Sequence, residues 1–187
     1  MARRSGLRRL HDPYGALPPV PAFRLRSADI ADGEMLDVAQ TSAIFGGPGR
    51  DRSPHLAWEG QPPGTASFAV TCFDPDALTV SGFWHWALYD LPASVTELPA
   101  GAGDAEGDAT PAGARMLAND AGQRGYLGAA PPPGEAPHRY MFVVHALDVP
   151  TLEVTPDATP AWLGFRLVAH ALGRARLSPV FGLPATS

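Results

Sequence analysis

Apolar and polar positions along the chain change in short runs, and only one stretch carries the three-to-four-residue spacing of a helix. Ser67–Phe73 is a near-continuous apolar run, the pattern of a strand buried on both faces. Within Ala69–Pro92 that strand leads to a turn holding Asp74 and Asp76, then to a second aromatic strand with His85 between Trp84 and Trp86. Tyr140–Asp148 predicts another strong strand, and Phe23–Ile30 alternates as a first one. Met35–Val38, Met116–Asn119 (an edge strand) and Leu177–Phe181 predict short strands, and Pro54–Trp58 leads into one that places Trp58 in the core or at its rim. Ile44–Ser53, Gln61–Gly64 and Asn119–Gly125 read as loop or turn, and Leu91–Gly113, rich in Ala, Gly, Pro and acids, as a long surface loop.

Thr159–Gly173 is the helix. Thr159 caps it, Pro160 suits its first turn and Gly173 ends it. Trp162, Phe165, Leu167, Val168 and Leu172 give it a wide apolar surface, with Arg166 and His170 on a polar stripe. Strands followed by a helix predict a mainly β fold, an antiparallel β-sandwich with a C-terminal helix. The length suits one domain, residues 22–187, preceded by an arm at 1–21. That arm carries Arg3, Arg4, Arg8 and Arg9 and the Pro-rich Leu17–Pro21. Four charges are few for a lipid or partner surface, and a solvated leader lying over the domain is the plainer reading.

Composition narrows the function classes. A net charge of -5 disfavours nucleic acid, although every basic residue is Arg. The single cysteine, Cys72, allows neither an intrachain disulfide nor a thiolate metal cluster. With no apolar signal-peptide core and no membrane-length run, the expectation is a soluble cytoplasmic protein.

Apolar strands that end in Asp and His are costly without partners, so the candidate chemistry lies there. Asp74, Asp76, His85, His138 and Tyr140 would bring two imidazoles and a phenol to one spot, beside the N–H groups of the Pro-stiffened loop Gly128–Gly134. An aspartate beside an imidazole fixes its tautomer and raises its pKa. The tryptophans and the apolar loop would floor the pocket. Such a pocket suits a small anion: phosphate, sulfate or carboxylate. Two other chemistries use the same residues. His and Asp together can hold zinc, although this spacing matches no metal motif. A His–Asp pair can serve a nucleophile, with Ser81 or Cys72 as candidates, although no nucleophile elbow is present. A buried polar network without a ligand is the bland alternative. His145, alone among Val and Ala, is set outside the site.

FDPDAL, GFWHW, SPHLAW (Ser53–Trp58) and GYLGAAPPPGEAPHRY together resemble the signatures of the phosphatidylethanolamine-binding protein family, also called Raf kinase inhibitor proteins, and its bacterial YbhB/YbcL branch. The likeness runs from about Phe23 to Phe181. It implies a large central antiparallel sheet packed on a smaller one, with a pocket at one end for phosphate or phosphorylated head groups, no catalysis and no cofactor. By the resemblance Asp74, Asp76, His85, His138 and Tyr140 are ligand-binding positions, and Ala130 and Pro131 close the pocket. Leu78 and Ala130 depart from the family pattern. The implied partners are a small anion, a peripheral membrane lipid, a kinase or protease that the protein regulates, and a second copy in a homodimer.

Overall fold

Apolar runs buried on both sides must lie in the middle of layers, and the computed structural model of the chain, which describes residues 12–107 and 109–185, shows those layers. The strands are β1 (Arg24–Arg26), β2 (Leu56–Glu59), β3 (Ser67–Asp74), β4 (Phe83–Pro92), β5 (Glu97–Leu98), β6 (Arg115–Met116), β7 (His138–Arg139), β8 (Met141–Leu147), β9 (Ala171–Leu177) and β10 (Val180–Phe181). One helix, α1 (Pro160–His170), precedes β9. A central antiparallel sheet runs in the order β6-β4-β3-β8-β9, and a smaller one in the order β1-β2-β5. β7 pairs with β10 apart from both.

Alternation along β3 and β8 divides the interior in two. Phe68, Val70, Cys72, Phe142 and Val144 face the small sheet, meeting Leu56, Trp58 and Leu98. Ala69 and Leu147 face the other way, toward Leu163 and Leu167 of α1. The larger and smaller sheets of the expected sandwich are both present, and Trp58 is in the core.

Several elements differ from the sequence reading. The helix ends at His170 instead of Gly173, and Ala171 passes straight into β9, which the sequence does not announce. Ala, Leu and Arg are good helix formers, but the free edge of β8 takes this segment as a strand, so tertiary pairing overrides propensity. Gly173 is needed there because a Cβ would come within 2.8 Å of Pro62 and 3.0 Å of the Pro21 carbonyl. Leu177 belongs to β9, and the last strand is only Val180–Phe181. The helix buries Pro160, Leu163 and Leu167, while Trp162 and Phe165 of the expected apolar surface are exposed. The Thr159 cap is made, its hydroxyl accepting from Trp162 N at 3.2 Å.

The first strand covers only Arg24–Arg26, and in place of a strand at Met35–Val38 there is an isolated bridge at Met35 and a short 3₁₀ turn, Val38–Gln40. Leu91–Gly113 is not simply surface loop: it contains β5, and Leu98 and Ala102 are fully buried. The four arginines of the arm lie outside the described residues. From Asp12 onward the arm lies on the central sheet, with Asp12 bound to Arg176 at 2.8 Å and Tyr14 OH 3.3 Å from Thr71 Oγ1. Among the described residues, no helix is long and apolar enough to cross a membrane.

The loop after β5 has one close approach. A Cβ on Gly103 would overlap the Trp86 indole, and the Gly103 carbonyl accepts from Tyr126 N at 2.6 Å. Gly103→Ala is therefore expected to destabilise the protein by about 1–3 kcal/mol, the usual cost of overpacking. Chemical denaturation of the two proteins measures it. An unchanged midpoint would show that the Trp86 wall gives way.

Candidate functional site

β3 ends at Asp74, and the chain turns over its side chain. Asp74 Oδ1 accepts from Asp76 N at 2.7 Å and from Ala77 N at 3.0 Å, the hydrogen-bonding habit of aspartate in turns. Oδ2 is left to accept from His138 Nδ1 at 2.8 Å. Both side chains are buried, at 6% and 4% exposure, so the pair joins the end of β3 to β7 inside the protein. Gly82 closes this turn from the other side. Its φ is +73°, and a Cβ there would come within 2.8 Å of the Asp74 carbonyl.

Asp76 turns away from Asp74. Its carboxylate is forked by Arg139, with Nε to Oδ2 at 2.8 Å and Nη2 to Oδ1 at 2.9 Å, and Arg139 N adds a bond of 3.0 Å to Oδ2. The two aspartates thus serve neighbouring residues of β7 and do not share one ligand-facing position. Asp76 stands behind the cavity and is not part of its lining.

His85 is placed by an irregularity in β4. The pairing of β3 with β4 passes from Phe73↔Trp84 to Cys72↔Trp86, leaving His85 as an extra residue. Bulges of this kind re-aim side chains. The imidazole lies against Phe83 and Tyr140, with ring centroids 4.8 and 5.1 Å away. His85 Nδ1 donates to the Leu127 carbonyl at 2.7 Å, and Leu127 N donates to the His85 carbonyl at 2.9 Å.

The loop carrying Leu127 is pinned in turn by the segment before β2. Gly128 N donates to Asp51 Oδ1 at 2.8 Å, Ser42 N to the Ala129 carbonyl at 2.9 Å, and Tyr126 OH to the Gln40 carbonyl at 2.8 Å. A Cβ on Gly128 would collide with the Thr41 carbonyl. Asp51 holds its position with a φ of +51°, a conformation that Asp tolerates better than most residues.

These elements enclose a cavity of about 240 Å³. Asp74, His85, His138 and Tyr140 line it, and Ala130 and Pro131 form its loop wall. Of the seven predicted site residues, six are brought together, and Asp76 supports from outside. Ile44, Phe45 and Leu78 also line it and are 47%, 84% and 65% exposed, so an apolar rim surrounds the polar floor.

The pKa values of the two imidazoles are shifted in opposite directions. The Asp74 carboxylate bonded to His138 raises its pKa against the opposing effect of burial. Burial lowers the pKa of His85, and the Leu127 carbonyl only partly offsets this. Burial also raises the Tyr140 phenol, which stays protonated. Burial alone would raise Asp76, but the Arg139 fork holds it below the usual carboxylate range.

Three sequence expectations are corrected. The tryptophans do not floor the cavity: Trp84 packs tilted against Phe73, ring centroids 4.5 Å apart, and lines a different cavity, and Trp86 is buried under Gly103. Ser81 lines that other cavity as well. Cys72 is buried, and burial raises its thiol well above the usual range. Neither nucleophile candidate therefore meets the histidines. Among the described residues, no group of three or more His, Cys, Asp and Glu is placed to hold a metal ion.

Sequence reasoning missed Arg139, Asp51 and the rim residues Ile44 and Phe45. The adjacency of Arg139 to His138, opposite two aspartates, is the signal that would have found the first. Asp51 carries no sequence signal, since its role depends on a loop far along the chain.

The chain matches the sequence model described as phosphatidylethanolamine-binding protein over residues 26–182. It is 43% identical to YbcL of Escherichia coli K12 over 160 residues, 86% of this chain and 87% of YbcL. It is 45% identical to YbhB of the same organism over 159 residues, 85% of this chain and 99% of YbhB. The crystal structure of E. coli YbcL matches with a TM-score of 0.84 and 42% identity, covering 87% of this chain and 99% of that one. A Chlamydia trachomatis homologue of the same family matches with a TM-score of 0.68 and 26% identity, over 85% and 96% of the two chains. The chain therefore belongs to the phosphatidylethanolamine-binding protein family.

Proposed function

We propose that the cavity between His85 and His138 binds a small anion, phosphate or a phosphorylated head group, without making or breaking its bonds. The observation that carries this reading is how the ring nitrogens are used. His138 Nδ1 is bonded to Asp74 and His85 Nδ1 to the Leu127 carbonyl, so Nε2 of each ring is left for a ligand. His138 is held cationic toward higher pH by Asp74, and among the described residues the cavity lining contains no Ser, Thr, Cys or Lys to act as a nucleophile. The apolar rim of Ile44, Phe45 and Leu78 suits the alkyl or glyceryl part of a phosphomonoester. Head-group binding by this chain is supported also by its family.

Asparagine tests the histidines without disturbing the fold, because its side-chain NH₂ can replace Nδ1–H as donor. Truncation to alanine would instead leave Asp74 buried and unpaired, at a cost of about 3–5 kcal/mol. His138→Asn and His85→Asn are each expected to weaken phosphate by about tenfold or more, the worth of one charge-assisted hydrogen bond. Calorimetric titration measures this, with thermal unfolding as the control. Unchanged affinity in both variants would sink the reading.

The pH dependence has a definite sign. His138 has a raised pKa in the fold, so its charge is complete below the ordinary histidine pKa of 6.5 and is lost as pH rises through the raised value. Sulfate does not titrate in this range, so its affinity reports the protein alone. It is expected to fall as pH rises, by up to about tenfold per pH unit where His85 alone takes up a proton and more steeply above the His138 pKa, and Asp74→Asn should move the steeper fall to lower pH. A flat profile would contradict the role given to His138.

Neutral His85 presents a lone pair at Nε2, because its Nδ1 carries the proton given to Leu127. It can donate to an anion only after gaining a proton. Sulfate binding near neutral pH is therefore expected to take up protons. Titrations in buffers of different ionisation enthalpy measure the number, and release instead of uptake would overturn the assignment.

A further inference from the structure

A second cavity lies on the opposite face of the central sheet, under α1. Its volume is about 400 Å³, within the range of roughly 300–1,000 Å³ typical of small-molecule sites. Phe73, Trp84, Leu167, Phe165 and Val168 make its apolar walls, and Tyr14 and Leu17 of the arm close one side. Two basic side chains line it. His145 of β8 and Arg174 of β9 are register partners, so their side chains stand next to each other on this face.

Both residues have unanswered polar atoms. His145 is 3% exposed, and its Nδ1 is buried with no hydrogen-bond partner. Its Nε2 lies 3.5 Å from Thr71 Oγ1, which is 3.3 Å from Tyr14 OH. Thr71 Oγ1 thus bridges Tyr14 OH and His145 Nε2, and the other ring nitrogen is left without a partner. Arg174 Nε is also buried and unpartnered, while Nη1 donates to the Pro18 carbonyl at 3.1 Å. Among the described residues no carboxylate pairs with Arg174, and it is the only charged residue in the lining. Burial holds His145 neutral, with its pKa lowered to about 3, and raises Tyr14 to about 12. Among the described residues the lining thus combines one permanent positive charge without a carboxylate partner, one neutral imidazole and apolar walls, and the unpartnered Nδ1 and Nε lie just beneath its surface. Unsatisfied buried donors are rare in native proteins and call for an acceptor.

We infer that this cavity binds an amphiphilic monocarboxylate, with the carboxylate on Arg174 and His145 and the apolar body against Phe73, Trp84 and Leu167. Charge complementarity selects this occupant. A neutral hydrocarbon would leave the donors unanswered, and a multiply charged anion would have only one cation to meet. The inference does not rest on the anion site described above, which lies on the other side of the sheet.

Octanoate is the probe, titrated calorimetrically into the full-length protein, with 1-octanol as its uncharged counterpart. Octanoate is expected to bind once per chain and more tightly than the alcohol. Arg174→Gln should weaken it by about tenfold or more. Gly164→Leu gives a second variant that leaves the arm contacts intact. A Cβ at Gly164 has ordinary room, 3.8 Å from Trp84, and the added side chain fills the cavity, so octanoate should be lost. His138→Asn should leave octanoate unchanged. Equal affinity for octanoate and octanol, or no effect of Arg174→Gln, would overturn the inference. Loss of octanoate in His138→Asn would overturn it by moving binding to the other cavity.

Discussion

A carboxylate taken out of water needs its lone pairs answered, and the way Asp74 meets that requirement fixes three separate segments of the chain. One oxygen holds the turn after β3 through two backbone N–H groups, and the other holds His138. The neighbouring Asp76–Arg139 fork repeats the connection one residue further along β7. β7 is only two residues long and, among the described residues, pairs only with β10, so its own ladder is a weak anchor. The two acid–base pairs supply the missing constraint. A buried pair of this kind adds little net stability, because desolvating both ions offsets most of their attraction. Its effect is positional: either partner alone would be far more costly than the pair.

The same sheet separates two polar environments. At one end, His138 and Asp74 answer each other and His85 is bonded to a backbone carbonyl, so the donors there are oriented before any ligand arrives. On the opposite face, His145 and Arg174 keep buried nitrogens without partners. Alternation along β3 and β8 accounts for the separation, since successive residues must point to opposite sides. Phe73 and Trp84 lie between the two environments in sequence, adjacent to Asp74 and His85, yet they line the second cavity.

The sequence made part of this plain. Ser67–Phe73 and Tyr140–Asp148 are too apolar and too short to be anything but central strands, and the polar residues at their ends had to be accounted for. That reasoning reaches Asp74, His85, His138 and Tyr140. It fails where a long-range partner decides the outcome. Ala171–Leu177 has helical propensity and becomes a strand because β8 has a free edge. The helix carries two overlapping apolar stripes, Trp162–Phe165 and Leu163–Leu167, and periodicity alone does not say which is covered. Asp74 and Asp76 share a face only while the chain is extended, and the turn that begins after Asp74 sends them to different partners. The β4 bulge that presents His85 is likewise invisible until the register with β3 is known.

The opposite shifts of the two histidines have a physical rationale in the way they share one cavity. Two imidazolium ions facing a volume of about 240 Å³ would repel each other with no counter-charge between them. Holding one ring cationic beside Asp74 and the other neutral through burial keeps only one positive charge there, already balanced by its partner. An arriving anion then makes the second protonation favourable, because its charge offsets the desolvation that kept His85 neutral. A ligand that brings its own acidic proton, such as a singly protonated phosphomonoester, satisfies His85 Nε2 directly, since it can donate to the bare lone pair while its other oxygens accept from His138. Fully deprotonated and aprotic anions must draw that proton from solvent instead. On the proposed reading the cavity would therefore take weakly acidic oxyanions in preference to simple halides.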